Sequence, residues 1–207
     1  MSNVLVCTDG SLYADSVYDH AAWAATRIGA GVEVLDVIDH KRGHADVADW
    51  SGNISANLRE DLLEQLSELD AQKGKVLQVK GRAILEAAAN RLKEKGIAEP
   101  RLSLRHGEFI DTVAEVEEHA DLVVIGKRGE NADFATGHLG ANLERVVRGS
   151  RHPMLVASRA FQPIERAMIA FDNSASAWKA VRHAATGDLL KGLEVLILRV
   201  GPESKEN

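Results

Sequence analysis

The sequence predicts an α/β fold: an open, doubly wound parallel sheet with helices on both faces. Two observations point to it. Short, almost continuously apolar runs alternate with stretches of helical periodicity, as expected of strands buried on both faces. After residue 158 the pattern pauses, and near residue 166 it starts again.

Val4-Leu5-Val6-Cys7 is an apolar run rich in β-branched residues that ends at Asp9-Gly10-Ser11, which reads as a strand, a turn and a helix start. A helix from about Tyr13 to Arg27 follows, with Val17, Ala21, Ala24 and Ile28 on one face. Gly29-Ala30-Gly31 stops it, and Val32 to Ile38 is the next strand. The polar stretch from His40 to Asn53 reads as a loop. Ile54, Leu58, Leu62, Leu66 and Leu69 then mark an amphipathic helix, and Ile84, Ala88 and Leu92 mark helix again. With Gly74 and Gly81 between them, the sequence leaves one long helix or two. Gly96 and Pro100 end the helical region. Arg101 to Arg105 alternates like a strand, Ile110 to Val116 forms a short helix, and Asp121-Leu122-Val123-Val124-Ile125-Gly126 is a buried strand. A glycine-bearing loop leads to a helix through Leu143, Val146 and Val147, and His152 to Ala157 is the last strand.

Ala167-Met168-Ile169-Ala170-Phe171-Asp172-Asn173-Ser174 then echoes Val4 to Ser11. Asp172 matches Asp9, Ser174 matches Ser11, Ala177 matches Ala14 and His183 matches His20, while Glu33-Val34-Leu35 recurs as Glu194-Val195-Leu196. A repeat of this length means domains in tandem. The expected division is a complete domain over 1–158, a linker over 159–165, and the β-α-β opening of a second copy over 166–207.

The composition is that of an ordinary globular protein, with 45% hydrophobic and 27% charged residues among 207. A net charge of −6 argues against a general nucleic-acid binder, which needs clustered Lys and Arg. No apolar run is long enough to span a bilayer. The N-terminus lacks a basic segment ahead of an apolar one, so a cytoplasmic location is expected. Cys7 is the single cysteine and reads as a small buried hydrophobe.

Ligands of an open parallel sheet bind beyond the carboxyl ends of its strands, where the winding reverses. Thr8-Asp9-Gly10-Ser11, Val37-Ile38-Asp39 and Gly126-Lys127-Arg128-Gly129 fall at such ends. The last continues through Gly137-His138-Leu139-Gly140-Ala141-Asn142 into a helix. Glycine at a helix start lets backbone N–H groups approach a phosphate, and the helix dipole favours the anion. Lys127, Arg128 and Arg145 add positive charge.

These segments, together with Asp121 to Gly126 and Leu139-Gly140-Ala141-Asn142, make the chain resemble the universal stress protein family along its whole length. The resemblance implies the adenine-nucleotide alpha hydrolase-like fold with strand order 3-2-1-4-5. It also implies an adenine-nucleotide-binding regulatory module rather than an enzyme, taking ATP (or AMP or ADP), with Mg accompanying the triphosphate. On that pattern Asp9 contacts the ribose, Val37 the adenine, and the loop of Gly126, Gly129 and Gly140 cradles the phosphates; Thr8, Lys127, Arg128, Ala141 and Asn142 complete the expected nucleotide site. The family's Gly-x2-Gly-x9-Gly-Ser/Thr is altered twice here. Ten residues separate Gly129 from Gly140, and Ala141 stands where a hydroxyl residue is expected. Family members commonly pair through their last strand, here Pro153 to Ala157, so a homodimer is expected.

Plainer readings stand beside these. Asp9 alone reads as a helix N-cap, the glycines alone as turn residues, and Lys127 and Arg128 as solvated charges. His40, His44 and Asp46 are too loosely spaced for a metal site. His20 and His183 suggest a shared packing or helix-surface role, His106 a turn role, and Trp23, Trp50 and Trp178 packing. The alternatives are a scaffold of the same family that binds no nucleotide, and a weak ATPase. Against dedicated catalysis, neither Gly-x4-Gly-Lys-Ser/Thr nor a Ser-Gly-Gly-x-Asp-Ser signature is present.

Overall fold

A computed structural model describes residues 2–39, 56–127 and 141–199. Along the chain these form β1 (Asn3–Thr8), α1 (Ala14–Ile28), β2 (Gly31–Ile38), α2 (Ala56–Glu94), β3 (Arg101–His106) and α3 (Phe109–Val116). A single 3-10 turn at Glu117–His119 leads to β4 (Leu122–Gly126), α4 (Ala141–Gly149) and β5 (Met154–Ala157). Beyond them lie β6 (Arg166–Ala170), α5 (Ala175–Thr186) and β7 (Glu194–Leu198). The expected loop from His40 to Asn53, with Ile54 after it, lies outside the described residues.

The first five strands make one parallel sheet in the order β3-β2-β1-β4-β5. That is the order the family resemblance implies. Successive side chains leave a strand on opposite faces, and the core divides accordingly. Val4, Val6, Val32, Val34, Leu122 and Val124 pack with α1 and the C-terminal part of α2. Leu5, Cys7, Leu35, Val123 and Ile125 pack with α3 and α4. Because β1 is covered on both sides, all its residues from Val4 to Thr8 are buried, which explains its unbroken apolar sequence.

The α2 region is one continuous helix of 39 residues, about 58 Å long at 1.5 Å per residue. Gly81 is what lets it lie against the sheet. A Cβ there would stand 2.6 Å from Leu104 Cδ1 and 2.9 Å from Asp36 Oδ2. A bidentate ion pair from Arg91 to Asp19, 2.8 Å at both oxygens, ties α2 to α1. The N-terminal half of α2 is different: residues 63–80 are exposed apart from Gly74. Leu66 and Leu69, which mark this helix in the sequence, are therefore exposed rather than in the core.

The strands β6 and β7 pair in parallel as a separate two-stranded sheet. The segment that joins them to the first sheet is laid on α1. Ser16 Oγ donates to the Ser158 carbonyl at 2.8 Å, and Phe161 meets the His20 ring edge-on at 5.0 Å. Arg27 donates from Nε to the Leu189 carbonyl and from Nη2 to that of Lys191. His20 is buried whereas His183 is exposed, so the recurring histidine does not have a shared environment. Its recurrence reflects the matching helices, and only the first meets a Phe161. Trp23 packs on the core with the Arg27 guanidinium 5.4 Å from its ring. Trp178 is exposed and meets Phe171 edge-on at 5.1 Å. Among the described residues no helix is long and apolar enough to cross a membrane.

Candidate functional site

The winding of the sheet reverses between β1 and β4, and the register fixes what lies there. Thr8 is paired with Asp36, and Cys7 with both Leu35 and Ile125. By the same register Thr8 is level with Gly126, and Asp9 with Val37 and Lys127, at adjacent strands about 4.8 Å apart. Asp9, Val37 and Gly126 are half-buried, and Lys127 is exposed. Five of the expected site residues (Thr8, Asp9, Val37, Gly126 and Lys127) are thus brought to one carboxyl edge of three adjacent strands.

The turn after β1 is shaped by its own side chains. Asp9 Oδ1 accepts the Ser11 N–H at 3.0 Å, and Thr8 Oγ1 accepts the Gly10 N–H at 3.3 Å. Gly10 has φ +67°, which an L side chain adopts only with strain. A Cβ on it would lie 2.6 Å from both Cγ1 and Cδ1 of Ile84, so α2 presses directly on this turn. Asp9 does not cap α1 with its side chain: the N-cap is Tyr13, which makes no side-chain cap bond.

The Thr8 hydroxyl is also bonded to the Tyr18 hydroxyl at 2.7 Å, inside the protein. Burial pushes the Tyr18 phenol up to about 12; the Thr8 bond partly offsets this, and the carboxylates of Asp15, Asp36 and Asp9 add to it. Tyr18 therefore stays neutral and holds Thr8 in place. Cys7, buried beneath, is likewise pushed up to about 12, mainly by burial and further by the Glu117 carboxylate, so it is an inert packing residue rather than a nucleophile.

The chain leaves β4 at the same edge and returns to start β5, which runs parallel to β4. The helix between them, α4, must therefore run back along the sheet with its N-terminus at the carboxyl end. It begins at Ala141-Asn142 and is anchored by buried Leu143 and Val146. Arg128, Gly129 and Gly140 lie outside the described residues, as do Gly137, His138, Trp50 and the His40, His44, Asp46 set. Arg145 and Val147 are exposed on α4, and His106 closes β3 ahead of Gly107.

Sequence reasoning missed Tyr18 and Ile84. Tyr18 lies ten residues beyond Thr8, on a helix face that periodicity marks only as apolar. Ile84 is far along the chain, and nothing local ties it to Gly10.

The same turn is built after β6. Asp172 Oδ1 accepts the Ser174 N–H at 2.9 Å, and Asn173 occupies the left-handed region at φ 65°, where Gly10 stands in the first turn. Hydrogen bonds from Ser174 hold the Asp172 carboxyl below the usual carboxylate range. Phe171 takes the place of Thr8, so the hydroxyl pair is not repeated.

An open parallel sheet whose winding reverses between β1 and β4 defines the class: a doubly wound α/β protein. Comparison with known proteins gives the family. The universal stress protein family model matches residues 1–158. Universal stress protein Slr1230 of Synechocystis sp. is 37% identical over all 207 residues, which span 72% of its length. The chain belongs to the universal stress protein family. Among solved structures, a universal stress protein from Archaeoglobus fulgidus DSM 4304 is similar over 99% of this chain and 67% of its own, with TM-score 0.64 at 20% identity. A universal stress protein in complex with cAMP is similar over 77% of this chain and 98% of its own, with TM-score 0.51 at 21% identity. At these identities the two structures speak to the fold.

Proposed function

We propose that this chain is an adenine-nucleotide-binding regulatory module of the stress-protein type, acting through its bound state rather than by catalysis. The observation that supports this most is the alignment of Asp9, Val37 and Gly126-Lys127 across three adjacent strand ends at the switch point. In this reading Thr8 and Asp9 meet the ribose and Val37 lies against the adenine. Gly126, Lys127, Arg128, Gly129 and Gly140, with Ala141 and Asn142 at the start of α4, receive the phosphates. The cAMP held by the structural relative is an adenine nucleotide of the same class. The ligand is ATP, or AMP or ADP. Mg accompanies the triphosphate. Ala141, lacking a hydroxyl, offers one phosphate bond fewer, which weakens affinity by about 0.5–1.5 kcal/mol without removing the site.

The proposal includes the tandem reading, with 1–158 a complete domain and 166–207 the opening of a second copy. The matching turns at Asp9-Gly10-Ser11 and Asp172-Asn173-Ser174 support it. It also includes a cytoplasmic location and pairing of two chains at the β5 edge.

Calorimetry with ATP tests the site. Gly140→Val puts a branched side chain where the phosphates approach and abolishes measurable binding, while circular dichroism shows the fold intact. Asp9→Ala weakens binding by about 1.5–3 kcal/mol through loss of a charged hydrogen bond. Unchanged affinity in a folded Gly140→Val chain rejects the assigned site.

A further inference from the structure

We infer that Phe109, at the start of α3, is the flat surface on which the base of the nucleotide lies, a contact that rests on the nucleotide reading above. Val37, Asp9 and Lys127 are level with one another on β2, β1 and β4. Across the sheet in that order they run apolar, carboxylate, ammonium, one strand spacing of about 4.8 Å per step. A nucleotide presents its groups in the same order: an apolar base, a ribose with hydroxyl donors, and anionic phosphates. The base therefore falls at the β2 end of the row, and the groups beside Val37 decide how it is held.

The first turn of α3 stands there. Because α3 joins the parallel strands β3 and β4, it starts at the carboxyl edge and runs back along the sheet. Val37 and Phe109 pack on the same part of the core, the one that α3 and α4 cover. The backbone leading into α3 is tied to β2, since the Gly107 N–H donates to the Ile38 carbonyl at 3.2 Å. Thr112 then closes the first turn: its N–H and its hydroxyl both donate to the Glu108 carbonyl, at 3.0 and 2.8 Å. Phe109 is thus held from both sides before any ligand arrives. One turn deeper Val113 is fully buried, whereas Phe109 is half-buried. The ring carries the apolar core up to the carboxyl edge and keeps part of its surface open. A fixed aromatic ring beside an apolar side chain is what a planar base stacks on.

Calorimetric titration of the full-length chain with ATP tests the contact through three substitutions. Phe109→Ala is expected to weaken ATP binding by about 10-fold or more, the scale of one lost base–aromatic stack. Phe109→Leu keeps an apolar side chain on the core but has no flat face, so it should lose as much as alanine does. Phe109→Tyr keeps the ring and should bind like the wild type. Circular dichroism verifies that each variant is folded, and if alanine unfolds the chain the leucine and tyrosine variants still decide the question. ATP affinity unchanged in Phe109→Ala, or wild-type affinity in Phe109→Leu, would overturn the inference and leave the nucleotide site standing. A wild-type chain that takes up no ATP rejects the nucleotide reading, and the role of Phe109 with it.

Discussion

Replacing Gly10 by alanine tests how the turn at the site is held. The left-handed backbone at φ +67° imposes about 1–2 kcal/mol on any residue with a Cβ. The new methyl would also stand 2.6 Å from Cγ1 and Cδ1 of Ile84, where contact at about 3.5–4.0 Å is normal. Overpacking of this kind adds about 1–3 kcal/mol. Gly10→Ala should therefore destabilise the chain by about 2–5 kcal/mol in all. The two parts separate in a double-mutant cycle measured by urea unfolding. Ile84→Ala removes the obstacle, so Gly10→Ala/Ile84→Ala should lose about 1–3 kcal/mol less than the sum of the single variants. What remains is the backbone strain. If the single effects simply add within about 0.5 kcal/mol, α2 does not press on this turn and the reasoning fails.

Two further outcomes are expected. Cys7 has a folded-state pKa raised from 9.0 to about 12, so the stability it lends is complete below pH 9 and is lost as pH rises towards 12. The advantage of the wild type over Cys7→Ala should therefore shrink by about 1.4 kcal/mol per pH unit above pH 9; a constant difference across that range would mean the thiol is not desolvated. Arg27→Ala removes the guanidinium that bonds the carbonyls of Leu189 and Lys191. Hydrogen exchange should then rise over residues 187–199 and stay unchanged in β1 and β4, and equal exchange in both variants would show that the contact does not hold β6, α5 and β7 in place.

Much of this fold was legible because its strands are buried on both faces. Val4 to Cys7 and Leu122 to Ile125 have no polar position, and only a covered parallel sheet makes that favourable. The strand order came from the family resemblance, since register between β1 and β4 depends on residues 118 positions apart, such as Val4 and Leu122. The continuity of α2 was not legible. Gly74 and Gly81 weaken a helix locally, and the reason Gly81 stands there, its approach to Leu104 and Asp36, is tertiary. Nor does periodicity separate a stripe that packs on a sheet from one that stays exposed, as Leu66 and Leu69 do. At the site, Asp9 and Gly126 were found from local pattern, because a turn after a buried strand shows in the sequence. Tyr18 and Ile84 were not, because each acts on that turn from another element.

The central claim is that the carboxyl edge of β1, β2 and β4 holds an adenine nucleotide. Native mass spectrometry of the full-length chain, as purified and again after addition of ATP, tests it most directly. The account predicts one adenine nucleotide per chain, retained through buffer exchange and lost in Gly140→Val. A wild-type chain that stays at its bare mass, even with ATP in excess, would contradict it.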